Sequence, residues 1–310
     1  MIQTNNRNNE SKQKPILVTG ATGNVGRHVV SQLLTAGYSI RALTRNPDSA
    51  NLPREVTLFR GSPSAADILD EALDGVEAVF LIWRGQSAAA APELVNRFKK
   101  HAQRIVFLSS SAVRDGVEQQ TNPVGWLHAE VERSIQKSGL EWTFLRPGGF
   151  ATNALAWWAP QIQAGDVVRW PYGRAATSPI HERDIATVAV HALTEDGHTG
   201  AKYVLTGPES LTQIDQVHAI GEATGRPLRF EEMPPEAARQ EMLALIPAPI
   251  VDVLFDFWSK AAGPPALVTT TVADITGSPG RTFREWAIDH ASDFQLRSAE
   301  VSQVHAGSVR

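Results

Sequence analysis

The sequence predicts an α/β protein, a doubly wound parallel sheet followed by a smaller, mostly helical C-terminal lobe. Three observations predict it. A compact apolar run, Pro15-Ile16-Leu17-Val18-Thr19, breaks at Gly20 into a glycine-spaced turn and then into helical spacing. Short apolar runs alternate with helix-length amphipathic segments as far as Phe150, and such alternation calls for parallel pairing with right-handed crossovers. Past Phe150 the rhythm gives way to tryptophan-rich and proline-broken segments, and then to helices.

Taken in order, residues 1–14 hold one isoleucine among polar residues and lack the apolar core of a secretory signal, so they read as a disordered tail. The first strand ends at Thr19, and helical spacing runs from Val25 to Leu34. Tyr38 to Leu43 and Val56 to Phe59 read as strands, Ala65 to Leu73 as a helix, and Ala78 to Ile82 as a strand. Glu93 to His101 is helical and Ile105 to Leu108 extended. A longer helix from Pro123 to Lys137 leads to Trp142-Thr143-Phe144-Leu145, a sixth strand halted by Arg146-Pro147-Gly148-Gly149. Residues 15–150 therefore form the first domain. The lobe, 151–294, opens with a tryptophan-rich segment (Ala154 to Ile162) and a broken stretch around Trp170-Pro171-Tyr172. A helix from Asp184 to Leu193 and a strand at Tyr203-Val204-Leu205 return to the sheet before helices take over, and 295–310 is a polar tail. Such a lobe caps the C-terminal ends of the strands, where open α/β sheets bind ligands.

Composition narrows the function classes. The chain has 310 residues, 42% of them hydrophobic, enough for a substantial core. Lys and Arg number 29 against 33 Asp and Glu, so no global positive charge draws the chain to nucleic acid. No uncharged apolar run reaches the ~18 residues of a membrane span. The absence of cysteine removes disulfides, thiolate metal sites and cysteine nucleophiles together and suits a cytoplasmic protein. The nine histidines show no metal-ligand spacing, and neither a G-x-S-x-G elbow nor a P-loop lysine occurs, so no metal is expected.

The most informative motif is Thr19-Gly20-Ala21-Thr22-Gly23-Asn24-Val25-Gly26, set between a buried strand and a helix. Gly20 permits the tight turn, Gly23 lets backbone approach a pyrophosphate, and Gly26 allows close packing of helix on sheet, the Rossmann fingerprint for a dinucleotide. An acid at the end of the second strand would bond an NAD ribose, yet no acid lies between Arg27 and Pro47. Arg41 and Arg45 stand there instead, and Arg45, at the strand's C-terminal end, is the better ligand for a 2′-phosphate. NADP(H) is the expected cofactor.

TGATGNVG, the Arg45-Asn46-Pro47 after strand two, ALDGVEAVFLIW, IVFLSSSAV and SGLEWTFLRPGGFATNAL together resemble the NmrA-like branch of the atypical short-chain dehydrogenase/reductases. The resemblance spans about residues 15–290, with IHERDIATVA, YVLTGPESLT and TGSPGRTFREWAIDHASDF similar to the substrate lobe of quinone and triphenylmethane reductases. It implies that Gly20, Thr22, Gly23, Asn24, Val25 and Gly26 hold the pyrophosphate and that Arg45 selects NADP. It also implies that Ile82, Trp83, Ser109, Pro147, Gly148 and Phe150 flank the nicotinamide. Where the family has Gly-Asp for an adenine contact after strand three, this chain departs from the pattern with Gly61-Ser62, and the Ser62 hydroxyl can donate or accept a bond there.

A Tyr-x-x-x-Lys pair is missing, since the three tyrosines are Tyr38, Tyr172 and Tyr203. His128 stands where many relatives place a lysine and is the expected acid, unless it is simply bonded to Glu132 one turn on. Ser110 and Ser111 are the hydroxyls placed to touch a carbonyl or the nicotinamide ribose. Trp83, Phe150, Trp157, Trp158, Trp170, Phe255, Phe257 and Trp258 are the candidates for a flat apolar pocket, against the alternative of core packing. These readings give an NADPH-dependent reductase of an aromatic, quinone-like or conjugated small molecule, acting as a monomer or homodimer. The competing expectation is a non-catalytic NADP(H)-binding redox sensor that contacts a regulatory protein partner.

Overall fold

The computed structural model describes residues 14–61, 66–83, 85, 87–244 and 246–295. Except for Lys14 and Gln295, the two expected tails lie outside them, as does Ser62. The first half runs β1 (Ile16–Val18), α1 (Asn24–Thr35), β2 (Ile40–Thr44), β3 (Thr57–Arg60), α2 (Ala66–Leu73), β4 (Ala78–Ile82). It continues α3 (Ala91–His101), β5 (Arg104–Leu108), α4 (Pro123–Gln136), β6 (Glu141–Pro147). The second half runs α5 (Asn153–Trp157), α6 (Ala159–Ala164), β7 (Val167–Trp170), β8 (Ala176–Thr177), α7 (Glu182–Thr194), β9 (Ala201–Leu205). Then follow β10 (Leu211–Thr212), α8 (Gln213–Thr224), β11 (Arg229–Glu232), α9 (Pro235–Leu243), α10 (Ala248–Ala261), α11 (Thr271–Thr276), α12 (Phe283–Asp289).

The doubly wound sheet is present, seven parallel strands in the order β3-β2-β1-β4-β5-β6-β9. Its central strands are buried on both faces, which is why β1, β4 and β5 read as unbroken apolar runs rather than alternating ones. The sixth strand does not stop before Arg146. It continues through Pro147, whose missing amide costs no ladder bond at a strand end and whose carbonyl accepts from Ser111 N at 3.0 Å.

One face of the sheet is covered by α1 and α7, whose apolar stripes (Val25, Val29, Val30, Leu33; Ile185, Val188, Ala189, Ala192) share one core. The other face is covered by α2, α3 and α4, with Leu69, Leu94, Phe98, Val131 and Ile135 in a second core. A third core lies in the lobe and draws only on residues past Phe150. The lobe is less purely helical than its sequence suggests: β11 pairs in parallel with β7, and β10 pairs antiparallel with β8. These pairs escaped detection because Arg229-Phe230-Glu231-Glu232 carries three charges in four residues, and β8 and β10 are two residues each. No helix among the described residues is long and apolar enough to cross a membrane.

The segment after α12 is tied by charge to α7, a helix of the sheet's first face. His290, just past α12, bonds through Nε2 to the buried Glu182 at 2.8 Å and through Nδ1 to Asp293 at 2.8 Å. Burial opposes the imidazolium, but these two carboxylates outweigh it and raise the His290 pKa above its ordinary value. A histidine raised in the folded state contributes stability in full below the unfolded value near 6.5, and loses it as pH climbs through the folded value. The melting temperature should therefore decline on the alkaline side of neutrality, and His290→Ala should flatten that decline in thermal melts at pH 6 to 9. An equally steep slope in the variant would exclude this pair as the cause.

Candidate cofactor site at the strand ends

The site begins where β1 stops. Thr19, buried, donates to the Phe80 carbonyl through both its amide (3.0 Å) and its hydroxyl (3.1 Å), and its hydroxyl accepts from Ile82 N at 2.8 Å. The ends of β1 and β4 are thereby pinned together. Gly20 then turns the chain at φ +64°, a conformation that costs glycine nothing. Gly23 N closes the turn on Gly20 O at 2.9 Å, and Arg27 is the first residue of α1 whose amide finds a carbonyl, Gly23 O at 3.1 Å. The helix has no side-chain cap and no acid in its first turn. Among the described residues, the amides of Asn24, Val25 and Gly26 thus point out of the helix end without partners.

The contacts of this loop test whether a pyrophosphate fits it. A Cβ on Gly26 would lie 2.2 Å from Gly20 O, and one on Gly23 3.2 Å from the same oxygen, so turn and helix touch backbone to backbone. Free amides, glycine surfaces and the positive end of the helix dipole converge there, the arrangement that binds phosphate groups. Arg27 adds a positive charge that the glycine spacing did not reveal, its guanidinium donating to Thr22 O at 2.9 Å and Gly23 O at 3.4 Å. The residues fit the group.

The two arginines of strand two separate cleanly. Arg41 is occupied, donating to the carbonyls of Glu71 (3.3 Å), Ala72 (3.1 Å) and Asp74 (2.6 Å) at the end of α2. Arg45, exposed just beyond β2, makes no ion pair among the described residues. Its neighbour across the sheet edge, Arg60, pairs with Asp48 at 2.9 Å. Gly61 donates its amide to Thr44 O at 2.9 Å, and a Cβ there would meet Ile68 Cγ2 at 2.9 Å, so this glycine serves the packing of α2.

Strand register brings the remaining cofactor candidates to the same edge. Ile82 lies opposite Leu108, Leu108 opposite Leu145, and Pro147 opposite Leu205. Ile82 and Trp83 are half-buried at the end of β4, with the buried Trp83 indole N–H unpartnered among the described residues. Gly148 N donates to Leu205 O at 2.9 Å, and Phe150, half-buried, bridges to Ile180. Ser110 is half-buried, its Oγ accepting from Ala112 N at 3.2 Å, while Ser111 is exposed. Ser109 differs from expectation: it is buried, its hydroxyl donates to Glu132 and its amide to Leu145 O.

Two other expectations are corrected. His128 does not bond Glu132. Its Nδ1 donates to Val124 O at 2.8 Å and its ring stacks on Phe107 at 6.0 Å, while Glu132 is taken by Ser109 and Arg146. Burial lowers the His128 pKa more than the Val124 carbonyl and Glu132 raise it. The ring is therefore neutral at pH 7, with its proton on Nδ1 and a lone pair on Nε2, an acceptor rather than an acid.

The aromatic pocket is corrected too. Trp158 (0% exposed), Trp258 (1%), Trp170 and Phe255 are buried in the core of the lobe, with Trp170 and Trp258 5.8 Å apart. The reason is helical period: Val251, Phe255 and Trp258 share one stripe of α10 that faces inward, whereas Phe257 is turned outward and is 51% exposed. Trp157 sits half-buried on the margin of that core. Of the aromatic candidates, only Trp83 and Phe150 stand at the strand ends.

A family described as NAD(P)H-binding matches residues 20–196, a span that opens on the glycine turn. The chain belongs to that family. The finding bears out the resemblance read from the motifs. This NAD(P)H-binding protein is 38% identical over 290 residues to a (4-alkanoyl-5-oxo-2,5-dihydrofuran-3-yl)methyl phosphate reductase of Streptomyces griseus, covering 90% of this chain and 99% of the relative. It is 34% identical over 298 residues to an NAD(P)H azoreductase of Xenophilus azovorans, again covering 90% and 99%. Among solved structures, an NADPH-dependent quinone oxidoreductase of Escherichia coli superposes with a TM-score of 0.70 at 25% identity, covering 88% of this chain and 98% of that one.

Proposed function

We propose that the protein is an NADPH-dependent reductase of an aromatic, quinone-like or conjugated small molecule. The observation that carries the reading is the uncapped, glycine-walled start of α1 with Arg27 beside it and Arg45, without an ion pair among the described residues, one strand away. The relatives named above are reductases that use conjugated, azo or quinone acceptors by their names, which supports the substrate class. Bound NADPH supplies a hydride. The chain's own residues hold the dinucleotide: the amides of Asn24, Val25 and Gly26 face the pyrophosphate, Arg45 the 2′-phosphate, and Ile82, Pro147 and Phe150 form the apolar wall beside the nicotinamide. Helix α4 carries no tyrosine, and its His128 is a neutral acceptor, which suits an acceptor whose incoming charge is delocalised and needs no strong positioned acid.

The test is the loss of reduced-nicotinamide absorbance on mixing the purified protein with NADPH and a panel of quinones, azo dyes and conjugated ketones. Oxidation with one acceptor class supports the reading. Tight NADPH binding without oxidation anywhere favours the regulatory sensor instead. Arg45→Ala should weaken NADPH binding by roughly ten- to a hundredfold, the order of a lost charge-assisted hydrogen bond, and leave NADH unchanged. Equal use of both nucleotides, unaltered by Arg45→Ala, would sink the NADP preference.

A further inference from the structure

Behind the strand ends lies a chain of charges that the proposed chemistry does not itself use. Arg146, in β6, is 4% exposed and meets two carboxylates at once. Its Nε and Nη2 donate to Glu132 Oε1 (2.9 Å) and Oε2 (2.6 Å), and its Nη1 and Nη2 donate to Asp115 Oδ2 (2.8 Å) and Oδ1 (3.1 Å). Glu132, also 4% exposed, accepts in addition the hydroxyl of Ser109, and Asp115 accepts Lys202 Nζ at 2.6 Å. Ser109 and Asp115 bound the first half of the loop, residues 109–122, that joins β5 to α4. One guanidinium therefore holds both ends of that segment, Asp115 directly and Ser109 through Glu132.

The loop between them is tied down further. Ser109 N donates to Leu145 O at 2.7 Å and Ser111 N to Pro147 O at 3.0 Å, so it lies along the end of β6. A Cβ on Gly125 would stand 2.5 Å from Ala112 O, which means that the first turn of α4 presses on it backbone to backbone. Ser110 and Ser111 ride on this segment, at the edge where the cofactor and its acceptor are proposed to meet. A network anchored on a buried, mutually satisfied ion pair, here Arg146 with Glu132, is what holds a group to the tolerances that chemistry demands.

We infer that Arg146 is a positioning residue for the reductase, clamping both ends of the Ser109–Asp115 loop so that its backbone and the Ser110 and Ser111 hydroxyls stand fixed beside the nicotinamide and the acceptor. The inference rests on the reductase reading above. Asp115 is the end to test, because its side chain is 57% exposed and its loss leaves no buried charge unpaired: Arg146 keeps Glu132.

Hydrogen exchange of amides 110–115 is measured in the nucleotide-free protein, together with the NADPH Kd and steady-state kinetics on whichever acceptor the panel identifies. For Asp115→Ala the clamp predicts faster exchange confined to this loop, an NADPH Kd raised about tenfold, and a kcat lowered ~10- to ~100-fold with the acceptor KM little changed. Asp115→Glu, which keeps the carboxylate, should return all three toward wild type. Unchanged exchange in Asp115→Ala overturns the clamp, and faster exchange with wild-type Kd and kcat overturns its positioning role. Wild-type protein that binds NADPH but reduces nothing overturns the reductase reading instead, and the clamp is then judged on exchange and Kd alone. Wild-type protein that binds no NADPH overturns both.

Discussion

Gly26→Ala should abolish measurable NADPH binding and destabilise the protein by about 1–3 kcal/mol or more, the cost of forcing a methyl group into a site with no room for it. The added carbon would lie 2.2 Å from the Gly20 carbonyl oxygen, 2.8 Å from its carbon and 2.9 Å from Ala21 Cα, all backbone atoms that cannot rotate away. Relief requires the turn and the start of α1 to part, and that motion disperses the amides of Asn24, Val25 and Gly26. The matched control is Gly37→Ala. Its backbone also has positive φ, +86°, but nothing stands within 4 Å of the new carbon, so it should lose about 1 kcal/mol and bind NADPH as the wild type does. Denaturant melts and NADPH titration by tryptophan fluorescence read both effects. Wild-type affinity in Gly26→Ala would mean that this turn is not where the dinucleotide sits.

Arg146→Met should be the most destabilising single change outside the glycine turn, by about 3–5 kcal/mol, because it strands the buried Glu132 carboxylate without its fork of donors. The penalty belongs to the orphaned charge rather than to the attraction lost. Replacing both partners, Arg146→Met with Glu132→Leu, should therefore recover most of the stability while leaving the loop after β5 unclamped. Lys202→Met, which removes only an outer, half-buried cation from Asp115, should change stability by less than ~1 kcal/mol. A double variant no more stable than Arg146→Met would show that the pair contributes more than mutual neutralisation. The acid limit of the network follows from its outer member. The Arg146 guanidinium, helped by Lys202 against partial burial, holds the Asp115 carboxyl down to about 2. Its contribution is thus intact above its unfolded value near 4 and is lost only as pH falls toward 2.

What the sequence determined by itself is whatever its local signals encode. The order of strands and helices as far as β6 and the glycine turn depend on residues within one or two turns of each other, and both are found in place. Periodicity also marked α10 as apolar on one side. It could not say whether that side met a cleft or a core, and the rings of Trp157, Trp170 and Tyr172 packed against it made Phe255 and Trp258 core. Likewise, spacing put His128 and Glu132 on one face of α4, yet they do not pair, and the partners of Glu132 come from elsewhere in the chain. Glu132 goes to Ser109 and Arg146 because a buried carboxylate must be matched by charge, and His128, left without it, bonds its own helix and stacks on Phe107. The clamp itself joins the loop after β5, α4, β6 and β9, and its bond from Lys202 to Asp115 spans 87 residues of chain. No local pattern encodes such a cluster. Only the folding of the sheet brings its members within hydrogen-bond reach, and burial then leaves Arg146 and Glu132 no partners outside the cluster.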